Sequence, residues 1–206
     1  MNTVLLSSLY LAPIQYYSKL FRAERAIIET DDNYQKQSYR NRSVIAAANG
    51  AMSLSVPIEK PAGLKSKMKD VRIAEHGNWQ HLHWNALISA YNSTPFFDYY
   101  RDEFRYFYEN RFRFLLDLNE QLRSLICELI GIEVPIEYSS KFIENYPSEI
   151  KDYRESIHPK RDWRSFDSEF EVKPYYQVFE EKNGFIANAS IIDLLFNMGN
   201  EARLYL

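Results

Sequence analysis

The chain opens on a short apolar run. Val4, Leu5 and Leu6 begin a stretch reaching Leu11 that reads as a short buried strand. Pro13 follows, and its fixed φ suits the first position of a helix. On that helix Ile14, Tyr17, Leu20 and Phe21 recur at helical spacing. A second apolar strand is expected over residues 26–29, so strand, helix and strand follow one another in the form of a βαβ unit. Asn49-Gly50 then separates residues 43–48 from 51–57 and predicts a β-hairpin through a type I′ turn. In its second arm Met52, Leu54 and Val56 alternate with Ser53 and Ser55, giving one apolar face. A short strand at residues 71–73 is expected next.

The middle of the chain has helical periodicity. Asn78 stands where it would cap a helix with Leu82, Ala86, Leu87, Ala90 and Tyr91 on its inner side. Thr94 and Pro95 form the cap and first turn of a second helix carrying Phe96, Phe97, Tyr100, Phe104, Phe107 and Tyr108. Leu115, Leu118, Leu122, Leu125, Ile126 and Leu129 make a third stripe, stopped by Gly131, with Cys127 as a buried, inert thiol. Residues 135–172 are weakly patterned and read as loops and short elements. Residues 175–179 read as a strand. Ser190 and Asp193 form a capping box for a short apolar helix that Gly199 ends. The expectation is an α/β protein of one domain over residues 1–206. It has a small mixed sheet, an N-terminal strand-helix-strand unit, a β-hairpin and a central helical segment.

Composition adds bounds. With 206 residues, 46% hydrophobic and 26% charged, the chain is long enough for one core and too apolar for wholesale disorder. One cysteine cannot close an internal disulfide, which fits a reducing compartment. The N-terminus has no positive region, its apolar run breaks at Ser7-Ser8, and no stretch approaches the ~18–20 apolar residues of a membrane span. A cytoplasmic protein without a membrane span is expected. A net charge of −3 argues against general nucleic-acid binding. The charge is uneven: residues 36–72 hold eight basic and two acidic side chains, a net of +6. That stretch is either an anion site or a solvated loop.

Motifs for chemistry are sparse. No nucleophile elbow, P-loop or G-x-G-x-x-G is present. His81 and His83 stand about 200° apart in azimuth on a helix and cannot share an ion, so no metal site is expected. The alternating rings and charges of residues 96–116 are a core stripe beneath a solvated face. Three clusters remain. Tyr39-Arg40-Asn41-Arg42 is either a paired-guanidinium anion clamp or a surface turn. Trp79, His83 and Asn85 offer either a general base or a satisfied, half-buried histidine. Tyr175-Tyr176-Gln177 and Asn188-Ala189-Ser190 supply polar groups beside a helix N-terminus.

At these residues the chain resembles the WbqC-like family. The resemblance rests on Tyr10-Leu11 and Tyr16-Tyr17-Ser18-Lys19, on Asn41-Arg42 and Val56-Pro57, and on the spacing of Trp79, His83 and Tyr91 before Pro95 and Phe97. It continues through Asp117-Leu118-Asn119 and ends in residues 188–199 (NASIIDLLFNMG). The family's N-terminal His-Gln-Pro motif is replaced here by Ser7-Ser8-Leu9, and its glycine-containing segment is not recognisable between residues 138 and 172. Similar proteins occur in gene clusters for O-antigen and other surface polysaccharides. The resemblance therefore implies a transferase acting on a sugar or nucleotide-sugar precursor, with aminoacyl or glycine transfer as one form. In that reading Arg40 and Arg42 hold a phosphate, His83 is the base, and Tyr10, Tyr176 and Gln177 shape the acceptor pocket. Tyr16, Lys19, Asn41, Trp79 and Asn188 complete the substrate-binding set. The partner is then a small sugar or phosphate-containing molecule, no cofactor is specified, and the oligomeric state is open. The alternatives are a non-catalytic binding or assembly protein of the same pathway and, more distantly, nucleotidyl transfer.

Overall fold

The two apolar runs near the N-terminus lie at the centre of the protein, because nothing polar interrupts them. In the computed structural model, which describes residues 2–60 and 66–206, β1 (Thr3–Ser7) is buried along its whole length. It pairs in parallel with β2 (Arg25–Glu29), from Thr3 opposite Arg25 to Ser7 opposite Glu29. Helix α1 (Ile14–Arg22) crosses between them, as a parallel connection requires. Pro13 stands just before the helix as its cap residue, where its missing N–H costs nothing. β1 is shorter than expected. Residues 8–11 leave the sheet in a turn, with Leu11 at φ +41° and the Tyr10 N–H donating to the Tyr39 carbonyl at 2.9 Å.

The hairpin is β3 (Arg42–Ala47) and β4 (Gly50–Ser55), paired antiparallel with Ala47 opposite Gly50. The turn is therefore Ala48-Asn49. Gly50 takes the positive φ of +99° while Asn49 does not, so the type I′ assignment is replaced by a turn closed by glycine. Leu54 and Val56 are buried, but Met52, nearer the tip, is 41% exposed.

Three helices follow: α2 (Trp79–Tyr91), α3 (Phe97–Glu109) and α4 (Leu115–Ile130). Gly131 ends the third with φ +78°. Their apolar stripes are core, except for Leu82 and Phe96, which are exposed. The expected caps differ. Asn78 is left-handed and makes no side-chain cap, and the Thr94 hydroxyl donates back to Tyr91 instead. Residues 71–73 contribute isolated bridges, Ile73 to Ile58 and Arg72 to Phe114, rather than a strand.

The remaining strands lie in the weakly patterned segment. β5 (Ile136–Tyr138) joins the outer edge of β2, and β6 (Ile150–Asp152) joins β1, both in parallel. The order is β5-β2-β1-β6. Strands of both kinds are present but segregated, four parallel in one sheet and two antiparallel in the hairpin. Residues 175–179 form no strand; Tyr175 and Gln177 are buried through side-chain hydrogen bonds.

After the short helices α5 (Trp163–Phe166) and α6 (Glu180–Asn183), α7 (Ile191–Met198) closes the core. The rings of Tyr91, Phe97 and Phe104 meet Phe196 edge-on at 5.1–5.2 Å between centroids. Ser190 precedes α7 but does not cap it. Its hydroxyl donates to the Leu11 carbonyl at 2.8 Å, and the Asp193 carboxylate is engaged elsewhere. Gly199 follows at φ +55°, where a Cβ would lie 2.7 Å from the Phe96 ring.

Candidate active site

Because the four sheet strands run the same way, their carboxyl ends share one edge, and the polar residues that follow each apolar run gather there. Ser7 ends β1, Glu29 ends β2, Ser139 follows β5, and Asp152 ends β6 with Arg154 just beyond. Glu29 is fully buried. Its Oε1 accepts from the Ser139 hydroxyl and from the Asp31 N–H at 2.9 Å. Its Oε2 accepts from Arg154 Nη1 at 3.1 Å. The other donors of Arg154 go to the Asp152 carboxylate and to the carbonyls of Ile143 and Glu144, at 2.6–3.1 Å. Its guanidinium also lies over the rings of Phe142 and Tyr146. A planar fork with its donors placed in this way is held in one orientation.

The chain leaving β2 turns through Thr30, Asp31 and Asp32. It is held by a 3₁₀ segment, Met68–Asp70, whose N–H groups at Met68 and Lys69 donate to the carbonyls of Asp32 and Thr30 at 2.9 and 3.1 Å. This pairing brings Lys67 and Lys69 to Asp31 Oδ1 at 2.6 and 2.8 Å. The two ammonium groups hold the Asp31 carboxyl below its ordinary pKa. Asp32 pairs with Arg40, which also donates to Ser7 Oγ at 3.2 Å and Gln35 Oε1 at 3.3 Å. Burial raises the Asp32 pKa, against the pull of the Arg40 charge.

Two atoms of this ion pair have no hydrogen-bond partner: Asp32 Oδ1 and Arg40 Nε. Leaving a buried polar group unpaired costs about 1–3 kcal/mol. Asp32 also lines a cavity of about 330 Å³, together with Gln35, Phe142, Glu144, Asp152, Arg154 and Glu155. That volume suits a small polar ligand.

His83 lies in a different cluster. Its Nδ1 shares a hydrogen bond with the Tyr10 hydroxyl at 3.0 Å, and Tyr10 meets the Tyr108 hydroxyl at 2.9 Å. The Trp79 ring stands edge-on to the imidazole at 5.2 Å. Burial lowers the His83 pKa to about 4, with the Ser55 backbone pulling the other way, so the ring is neutral at pH 7. Burial also pushes the Tyr10 phenol well above its ordinary value.

The other sequence candidates are dispersed. Arg42 turns along the hairpin to Ser55 Oγ at 3.3 Å, while Arg40 faces the sheet edge, so the two guanidinium groups form no joint clamp. Asn41 ties the hairpin base to the Val56 carbonyl at 2.8 Å. Lys19 is buried on Asp167 at 2.7 Å, over the Tyr153 ring. Asn188 accepts from the Gln15 N–H at 2.9 Å. Gln177 and the Tyr175 hydroxyl donate to Asp193 at 2.7 and 2.6 Å. Tyr16 is buried with an unpartnered hydroxyl, and Tyr176 is 54% exposed. Of the basic stretch, Lys65 lies outside the described residues, while Arg40, Lys67 and Lys69 are paired with Asp31 and Asp32.

The sequence reading thus brings together Tyr10, Trp79 and His83, and separately Arg40. It misses Glu29, Asp32, Asp152 and Arg154. For the first two a signal existed: acidic residues directly following an apolar strand of a βαβ unit. Among the described residues no three or more His, Cys, Asp or Glu side chains are grouped to hold a metal ion.

The fold is therefore that of an α/β protein with a polar cavity at the carboxyl edge of its parallel sheet. The profile of the WbqC-like protein family matches residues 8–158, and the chain belongs to that family. It is also similar to the uncharacterized protein Rv1507c of Mycobacterium tuberculosis, with 26% identity over 217 residues covering 93% of this chain and 91% of that protein. No solved structure matches it. Glu29, Asp32, Arg40, Asp152 and Arg154 all fall within the matched residues; the closing segment 188–199 lies beyond them. Among the described residues no helix is long and apolar enough to cross a membrane.

Proposed function

We propose that this WbqC-like chain is a cytoplasmic transferase acting on a sugar or nucleotide-sugar precursor of a surface polysaccharide, and that it works at the carboxyl edge of its parallel sheet. The family supports the setting. The observation that carries the site is Asp32: buried, ion-paired through one oxygen, lining the cavity, and unpartnered at the other oxygen.

In this reading Asp32 is the general base. A transferase must take a proton from the acceptor hydroxyl or amine as that atom bonds to the activated donor and the donor's leaving group departs. A carboxylate whose pKa is raised by burial is a stronger base than a solvated one. Arg40 is a positioning residue, its charge favouring the ionised form of Asp32 and its guanidinium holding the carboxylate through Oδ2. The cavity wall offers the planar amide of Asn33 and the ring of Phe142. These groups suit the hydroxyls and the C–H face of a sugar. His83 has its Nδ1 occupied by Tyr10 and packs among rings, and here it supports the fold.

The test is turnover with a panel of nucleotide-sugars, acyl-CoA thioesters and glycine as donors, against simple sugars as acceptors. Asp32→Asn should lower kcat by roughly 10²–10⁴-fold with KM little changed. Undiminished turnover in that variant would remove Asp32 from the mechanism. A second reading, a non-catalytic assembly protein, is favoured by Tyr99 and Tyr106, seven residues apart on α3 and 74% and 52% exposed. It predicts a complex disrupted by Tyr99→Ser and Tyr106→Ser, and no turnover by the free chain.

A further inference from the structure

The outer edge of β4 is the least protected strand edge among the described residues. β5 and β6, at the two ends of the parallel sheet, are three residues long and carry charge, Glu137 on one and Lys151 with Asp152 on the other. Short length and charge both discourage pairing with another chain. The outer edge of β3 is covered where α7 begins, its Val44 carbonyl accepting from the Ser190 N–H at 2.7 Å. β4, with the sequence Gly-Ala-Met-Ser-Leu-Ser, has six residues without charge or proline, and no bulge interrupts its register. Which of its backbone groups face outward follows from the ladder. Asn41 and Val56 lie one step beyond the paired strands and form a bonded pair, the Val56 N–H donating to the Asn41 carbonyl at 2.8 Å. Bonded and unbonded pairs alternate in an antiparallel ladder, so Ser43–Leu54, Ile45–Met52 and Ala47–Gly50 are the bonded ones. Ala51, Ser53 and Ser55 therefore turn their N–H and C=O groups away from β3. The Ser55 backbone is met by the His83 ring. Ala51 and Ser53 are exposed, and among the described residues nothing bonds to their outward groups. Met52, between them, is 41% exposed, although it shares its face with the buried Leu54.

We propose that the outer edge of β4 is a homodimer interface, on which a second copy of the chain lays its own β4 antiparallel to the first. The strand is self-complementary in one register. With a twofold axis at Met52, Ala51 of each copy exchanges two backbone hydrogen bonds with Ser53 of the other, and every outward group of both residues is used. Met52 then stands directly opposite Met52 of the second copy, in an unbonded pair, where side chains approach most closely. The exposed thioether is covered by its equivalent, and on the other face only the small side chains of Ala51 and Ser53 meet. No charge faces a like charge along the contact. The two hairpins become one four-stranded antiparallel sheet, which removes the open edge. A strand from another protein would find the same backbone groups, but the match of Met52 to Met52 and of Ala51 to Ser53 belongs to a second copy.

The experiment is sedimentation velocity of the full chain from dilute to millimolar protein, with amide hydrogen exchange at Ala51 and Ser53 followed over the same range. The parent should approach twice the monomer mass as concentration rises, and exchange at both amides should slow with it. Met52→Glu and Met52→Lys each set like charges against one another across the axis and should each weaken the dimer roughly tenfold. Mixed together, the two variants should pair again, because Glu then faces Lys. Ser53→Pro removes an N–H that the hairpin does not use and should abolish dimerisation. Met52 is exposed, so the dilute Met52 variants should melt with the dilute parent, which separates lost association from lost folding. A parent that stays monomeric at millimolar concentration would overturn the interface. A dimer that survives both Met52→Glu and Ser53→Pro would place the contact elsewhere and overturn it as well. A dimer lost in each charged variant and not restored by mixing them would overturn the register about Met52.

Discussion

Arg154 reaches Glu29 across the sheet edge, with Nη1 at 3.1 Å from Oε2 and neither residue more than 7% exposed. Glu29 ends β2 and Arg154 follows β6, and β1 lies between those strands. The pair therefore ties the two sides of β1 together at the end where the cavity opens. Removing one partner of a buried pair leaves the other charge stranded, at a cost of about 3–5 kcal/mol. Arg154→Ala should lose that much in denaturant unfolding. Arg154→Lys should recover only part of it, because an ammonium cannot serve Glu29, Asp152 and two carbonyls at once.

The aromatic cluster makes a prediction of opposite character. His83 has its folded pKa lowered from 6.5 to about 4 by burial. A base with a depressed folded pKa contributes stability that is present above pH 6.5 and lost as the pH falls through about 4. NMR titration should therefore show a His83 ring that does not change protonation between pH 6 and 8. A midpoint near 6.5 would mean the ring is solvated. Tyr108→Phe should cost about 1 kcal/mol by removing one neutral hydrogen bond.

Asp193 runs the other way. Burial pushes its carboxyl up to about 6 from 3.8, while Tyr175 and Gln177 pull it down. An acid with a raised folded pKa contributes stability that is full below pH 3.8 and lost as the pH rises through about 6. Asp193→Asn keeps an acceptor for Tyr175 and Gln177 and abolishes the charge. Its melting temperature should exceed the parent's at pH 8, and the gap should close at pH 4. A variant less stable at pH 8 than at pH 4, relative to the parent, would contradict this. Between pH 4 and 6 the Asp193 and His83 contributions oppose one another.

The end of α7 offers a packing test. Gly199 has φ +55° and stands against the Phe96 ring, where a Cβ would be 2.7 Å away. Gly199→Ala should destabilise by more than the ~1 kcal/mol of an ordinary left-handed position, because backbone strain and a clash add. Thermal unfolding measures it.

Much of the fold was legible because its elements are long or strongly periodic. The unit β1-α1-β2, the hairpin and the three central helices each repeat their apolar positions often enough to declare their type. β5 and β6 were not legible, because three residues carry no period, and they are recruited by the open edges of β1 and β2 rather than by their own sequence. The same cause hid the site. Arg40 stood out as part of a basic cluster, but its partner Asp32 and the Arg154–Glu29 pair depend on which strands are neighbours. Ser190 and Asp193 matched a capping box by spacing, yet tertiary contacts to Leu11, Tyr175 and Gln177 outcompete the local bonds.

The central claim is that ligand binds at the carboxyl edge of the sheet, beside Asp32. Amide chemical-shift mapping during titration with glucosamine and with a nucleotide-sugar locates the site directly. The predicted perturbations fall on residues 30–35, Ser139, Glu144 and residues 152–155. Perturbations centred instead on Tyr10, Trp79 and His83, with Asp32 and Arg154 unmoved, would contradict it.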